Sequence, residues 1–219
     1  MNSEFLTYLI NFLGMLLLIT SFGIIASPML LACIRFYAMH SFLLSLITLA
    51  VAYNHHAWHI AISALLTFIL KVIAIPHIFS TIIRRLGIRK EAESYINIPL
   101  SLFFAVFLVF ISFYVTSIGK TLNPLSSLKF LPIAISTIFL GMFVMTSRKK
   151  ALTQVLGLLL MENGLFLMGI TMTFGMPLLI ELGILFDVLI GIIIMGIFMF
   201  KIRSAFEGIE VDHMTVLRG

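Results

Sequence analysis

The chain has 219 residues, of which 61% are hydrophobic and 11% charged, with a mean hydropathy of +1.18. That composition excludes a water-soluble domain of this length and predicts an integral membrane protein. The formal net charge of +5 does not point to nucleic acid, because the basic residues sit in short clusters between apolar stretches, where they act as topology signals.

Windows of about 20 apolar residues predict an all-α integral membrane protein with seven transmembrane helices, at 5–25, 28–52, 57–82, 97–117, 129–147, 151–173 and 178–202. Helices are expected because lipid offers backbone groups no partners, and a barrel would show short alternating strands instead. The first window has no small-residue cleavage site and is too long for a signal-peptide core. Ser27-Pro28 separates it from the second, which holds Cys33, Arg35 and His40. Cys33 is the only cysteine; it excludes an intramolecular disulfide and reads as a small buried hydrophobe. Arg35, seven residues past Pro28, is placed for a headgroup or partner contact.

Asn54-His55-His56 breaks the chain before the third window. His55, His56 and His59 have a spacing compatible with metal binding, but no nearby Cys, Asp or Glu completes a ligand set, so interfacial anchoring beside Trp58 is the expectation and no metal site is assigned. The third window carries Lys71 near its centre, too far from either surface to snorkel. The fourth has no charge between Ile96 and Gly119 and reads as a lipid-facing or partner-facing spacer. The fifth ends at Arg148-Lys149-Lys150. The sixth carries Gln154, Gly157, Glu162 and Asn163, and the seventh, after Gly175-Met176-Pro177, carries Glu181, Asp187 and Gly191. Gly157, Gly164 and Gly191 are expected to let these last two helices approach closely.

Basic residues set the orientation. Arg84, Arg85, Arg89, Lys90, Arg148, Lys149, Lys150, Lys201, Arg203 and Arg218 share one face, and only Lys120 and Lys129 lie on the other. Ten against two puts the N-terminus outside and the C-terminus in the cytoplasm. The domain reading is a three-helix group over 1–94, a spacer helix and loop over 95–128, a second three-helix group over 129–205 and a cytoplasmic tail over 206–219. Placing Met39-His40-Ser41 over Met161-Glu162-Asn163 brings the two groups into loose register, as in a parallel repeat.

Ionisable groups inside a bilayer are costly and mark ion or proton paths. Glu162, Asp187, Lys71 and His40 are therefore the predicted proton-path residues. A relay needs groups whose protonation alternates, and low dielectric disfavours the charged carboxylate; a buried Lys gives up its charge readily, and a His titrates near neutrality. Interhelical hydrogen bonding is the alternative for Glu162, Asp187 and His40, and snorkelling the one for Lys71; for Glu181, near the outer end of its span, hydrogen-bonded glue or an interfacial place is the favoured reading. The Ser and Thr residues have no organised base, and phosphate-binding, dinucleotide and haem-attachment motifs are lacking. No catalytic, cofactor or metal site of the chain's own is predicted.

Gly157-Leu158-Leu159-Leu160-Met161-Glu162-Asn163-Gly164, followed by Asp187-Val188-Leu189-Ile190-Gly191, resembles the second and third helices of subunit K of respiratory complex I, and likewise the small C subunit of multi-subunit cation/proton antiporters. In subunit K each of these helices carries a membrane-embedded glutamate. Asp187, four residues before Gly191, matches the third-helix acid conservatively. The second-helix acid departs from the pattern: the family places it two residues after the glycine, where this chain has Leu159, and Glu162 follows three residues later on the same helix face. That resemblance covers 129–203. The longer layout, with an N-terminal helical extension and the loop Arg84-Arg85-Leu86-Gly87-Ile88-Arg89-Lys90-Glu91, resembles hydrogenase-4 component E. The resemblance implies an accessory subunit in a bacterial or archaeal cell (inner) membrane. Its implied partners are antiporter-like membrane subunits and, in many systems, a nickel–iron hydrogenase or other iron–sulfur peripheral arm. The implied function is a contribution to redox-driven proton movement, and the alternative is a subunit of a cation/proton antiporter without redox chemistry.

Overall fold

A computed structural model describes residues 3–55, 58–86, 94–122 and 130–173. Its elements are α1 (Ser3–Ala26), α2 (Leu30–His55), α3 (Trp58–Thr67), a π-helical segment (Phe68–Ala74), α4 (Ile75–Leu86), α5 (Ile98–Leu122), α6 (Leu131–Ser147) and α7 (Ala151–Thr173). Among the described residues there is no strand. The predicted seventh helix, with Glu181, Asp187 and Gly191, and the tail over 206–219 lie outside the described residues.

Among the described residues, four helical runs are long and apolar enough to cross a membrane: Leu30–Tyr53, Trp58–Arg84, Ile98–Ile118 and Ala151–Met172. Pro28 helps end α1, since it supplies no N–H; the last bond of that helix runs from Ser27 N to Gly23 O at 3.1 Å. Arg148 ends α6 with an extended backbone, φ −97° and ψ 141°, and α7 then folds back antiparallel to α6.

The third rod is not a uniform α-helix. Its buried residues Thr67, Lys71, Ile75, Phe79 and Ile83 recur every four positions. In an α-helix each such step overshoots a full turn by about 40°, so a long run of them wanders round the rod. The π segment turns more slowly, through bonds such as Ile75 N to Leu70 O, and cancels the drift. Pro76 follows directly, and its ring would clash with the carbonyl of Val72 in a regular α-helix. Sequence periodicity alone treats 57–82 as one regular span; the local widening holds Lys71 and Phe79 on the same inward face.

α6 and α7 pack backbone against backbone. A Cβ on Gly141 would lie 2.5 Å from Met161 N, one on Gly157 2.7 Å from Met145 N, and one on Gly164 2.8 Å from Ile138 N. Gly157 and Gly164 thus face α6; the seventh helix, toward which they were expected to allow approach, lies outside the described residues. Both glycines lie on the α7 stripe that turns toward its preceding neighbour, the short 148–150 connection making that neighbour α6.

Two apolar clusters fill the bundle. One gathers Ile24, Tyr37, Ile75, Phe79, Leu140 and Leu160 with their neighbours; the other gathers Leu17, Leu44, Ile47, Ala134, Phe166 and Leu167 with theirs. Along α2 the first ends at Tyr37 and the second begins at Leu43, and along α7 the change falls between Leu160 and Phe166. Polar residues occupy the gap, and helices of both predicted three-helix groups contribute to each cluster. α5 is the least buried of the four long runs and turns Phe103, Phe107, Phe110 and Tyr114 outward.

Candidate functional site

Between the two apolar clusters, three helical rods each deliver polar side chains to one point. α2 supplies His40 and Ser41, the π segment supplies Lys71, and α7 supplies Glu162 and Asn163. All five are buried: Lys71 is 2% exposed, His40 1% and Asn163 0%. The Lys71 Nζ–Glu162 Oε1 distance is 2.7 Å. Nζ also donates to Asn163 Oδ1 at 3.0 Å and lies 5.7 Å from the centroid of the Phe166 ring, close enough for a cation–π contact. The ammonium therefore has a carboxylate, an amide oxygen and an aromatic face around it.

The chain of contacts continues through Asn163. Its Nδ2 lies 3.2 Å from His40 Nδ1 and donates to Ser41 Oγ at 3.0 Å. A continuous polar string thus runs from Glu162 through Lys71 and Asn163 to His40. Three buried atoms beside it, Tyr37 Oη, His40 Nε2 and Glu162 Oε2, have no hydrogen-bond partner among the described residues. Buried polar atoms are nearly always satisfied, so such exceptions concentrate where groups change state or take up water.

Of the four residues predicted for a proton path, the structure brings together Lys71, Glu162 and His40; Asp187 lies outside the described residues. Met39-His40-Ser41 and Met161-Glu162-Asn163, aligned above as equivalents, meet directly through Asn163. Leu159, at the position where subunit K has its acid, is buried in the apolar cluster, while Glu162 one turn later reaches Lys71. Asn163, Ser41 and Tyr37 belong to the site without having been assigned to it from sequence. An amide beside a mid-span acid was the available signal for Asn163, and adjacency to His40 for Ser41. Gln154 is not part of the site: its Nε2 donates to Arg148 O at 2.9 Å, at the α6–α7 turn.

Arg148 was expected to be a topology marker, yet it is only 3% exposed. Its Nη2 donates to Ile24 O at 3.3 Å, Ile25 O at 2.6 Å and Ser27 O at 3.5 Å. These carbonyls close α1, where the helix has no donors of its own and its dipole favours a cation. Burial pulls the guanidinium below its ordinary value, but from so high a start that it stays charged. Cys33 is buried as expected, its thiol 3.5 Å from Ile24 O in the same cluster. Trp58 is 85% exposed, and His59 is exposed beside it. The side chains of His55 and His56 lie outside the described residues.

Neither a protein-family model nor a solved structure matches the chain. The uncharacterised protein Rv0085 of Mycobacterium tuberculosis is 31% identical over 130 residues, which is 59% of this chain and 59% of that protein's length. Hydrogenase-4 component E of Escherichia coli K12 is 26% identical over 209 residues, covering 95% of this chain and 96% of its own. Component E of Shigella flexneri gives the same figures. Similarity over nearly the whole of both chains makes this protein a homologue of hydrogenase-4 component E.

Proposed function

We propose that this protein is a seven-span membrane subunit, N-terminus outside and C-terminus in the cytoplasm, of a hydrogenase-4/complex I-like proton-translocating redox complex. Its part is to carry protons through the mid-membrane string that includes Glu162, Lys71 and His40, with Asp187 continuing the path on the seventh helix. The observation that carries this reading is the 2.7 Å Lys71–Glu162 pair buried between two apolar clusters. A buried ion pair is a weak source of stability, since desolvation consumes most of its Coulombic gain, so its presence at bilayer mid-depth favours a functional origin. Full-length similarity to hydrogenase-4 component E supports membership in a hydrogenase assembly, with antiporter-like membrane subunits and an iron–sulfur arm as partners.

Vesicles containing matched amounts of assembled wild-type and variant complex test the path. Glu162→Gln and Asp187→Asn keep shape and hydrogen bonding while removing a titratable site. Each is expected to lower redox-driven proton uptake at least tenfold while the complex still purifies intact. Uptake at wild-type level in the Glu162→Gln/Asp187→Asn double variant would make both acids interhelical adhesive, and purification with membrane subunits alone would favour the antiporter assembly.

A further inference from the structure

We propose that the Asn163 side-chain amide is a two-position switch that makes protonation of Lys71 Nζ and of His40 Nδ1 mutually exclusive. The inference deepens the proton-path reading and rests on it for its role.

The hydrogen-bond geometry leaves one assignment. A lysine ammonium only donates, so the atom 3.0 Å from Lys71 Nζ must be the amide oxygen of Asn163. The chemistry of the neighbour fixes which end of the amide this is. The other end of the amide, its NH2, then points at His40 Nδ1 at 3.2 Å and Ser41 Oγ at 3.0 Å. An amide NH2 only donates, so Nδ1 must present its lone pair. His40 is therefore neutral and carries its ring proton on Nε2, the nitrogen that has no partner among the described residues. Among the described residues the Asn163 amide is the one hydrogen-bond partner of the His40 ring; Glu162, Ser41 and Tyr37 are the other polar groups around this point.

The amide has one alternative arrangement. When Lys71 passes a proton to Glu162 Oε1 across the 2.7 Å contact, an N–H bond breaks, an O–H bond forms, and Nζ gains a lone pair. Asn163 can then turn over, donating from Nδ2 to Nζ and accepting at Oδ1 from His40 Nδ1–H and from the Ser41 hydroxyl. The Nδ1–H bond forms with a proton delivered by a hydronium ion entering the path, which leaves as water, and nothing is oxidised or reduced. The proton that left Lys71 has neutralised Glu162, and the one positive charge now at the site is the incoming proton on His40. An ammonium at Lys71 together with a proton on Nδ1 would present donors to both ends of the amide, whose oxygen faces only one of them, so its NH2 would meet a second donor at the other. Asn163 is thus a positioning residue: it orients the donors and acceptors of its neighbours and carries no proton itself.

The measurement is the protonated nitrogen of His40, read by nitrogen NMR on the full-length protein in lipid bilayers with 15N-labelled histidine and assigned through loss of the signal in His40→Gln. At neutral pH the wild type is expected to show a neutral ring protonated on Nε2. Asn163→Asp supplies oxygen acceptors to both neighbours, so the proton is expected to appear on Nδ1 while Lys71 keeps its charge. Wild-type His40 protonated on Nδ1 overturns the switch and requires no variant to fold. A Nδ1 in Asn163→Asp that stays unprotonated, as in the wild type, overturns it as well. The spectrum is independent of translocation: unchanged proton uptake in the Glu162/Asp187 variants would defeat the path and leave the tautomer standing, whereas the wrong tautomer would defeat the switch and leave the acids as candidates.

Discussion

The Lys71–Glu162 pair raises the question of what a buried charge pair contributes to folding. Removing one partner leaves the other uncompensated and costs about 3–5 kcal/mol when it cannot change protonation, while replacing both by apolar residues of similar volume is often neutral or stabilising by about 1–4 kcal/mol. Here Lys71 retains other contacts, Asn163 and Phe166, whereas Glu162 Oε2 has no hydrogen-bond partner among the described residues. The double variant Lys71→Met/Glu162→Met is therefore expected to unfold at a temperature equal to or above the wild type in the same detergent, yet to show no proton uptake. A clear drop in unfolding temperature with uptake retained would mark the pair as structural. Lys71→Arg separates charge from titration: a guanidinium keeps a cation beside Glu162 but does not give up its proton, so uptake is expected to stay at least tenfold below wild type.

At the scale of elements, the α6–α7 hairpin is the tightest joint among the described residues. Gly141, Gly157 and Gly164 meet backbone atoms at distances no real Cβ tolerates, whereas at Gly14 the obstacle is the tip of the Ile133 side chain, 2.7 Å away. Backbone cannot step aside without separating two helices; a side-chain tip can rotate. Alanine at Gly141 or Gly157 is thus expected to destabilise the fold by about 1–3 kcal/mol, and at Gly14 by clearly less. Thermal unfolding in detergent ranks the three, and equal shifts at all positions would remove the backbone-contact explanation. The same hairpin sets the height of Glu162 and Asn163 against Lys71, so loosening it is also expected to weaken the polar string. In the third rod the π segment has a comparable duty, aligning Lys71 with Ile75 and Phe79 on the core side.

For the molecule as a whole, the helices assemble as apolar clusters above and below a thin polar layer, and the outermost rod, α5, presents aromatic side chains to its surroundings. Such an arrangement suits a bilayer, where exposed apolar surface costs nothing and polar groups must be paired inside the protein. The orientation proposed here requires the loops after α4 and α6 to share the cytoplasmic face. Reporter fusions placed after Arg89 and Lys149 are both expected to give cytoplasmic signals. An external signal from either would overturn the orientation. Arg148, although counted with the basic residues of that face, is engaged with the end of α1, so its contribution to topology rests on its charge during insertion rather than on exposure in the folded protein.

Local sequence was enough for the membrane class, the helical runs of α2, the third rod, α5 and α7, and the selection of Lys71, Glu162 and His40, because hydropathy and the cost of an intramembrane charge are properties of residues and short windows. Which of those residues meet was decided only by tertiary packing. His40 and Asn163 are 123 positions apart, and no periodicity within either helix encodes their contact; it depends on the crossing of α2 with α7 and on the π segment that turns Lys71 toward both. The contact of Gly157 and Gly164 with α6 and the inward turn of Arg148 have the same cause. A glycine stripe or a cation advertises that something must approach it, but the partner is selected by how the helices stack.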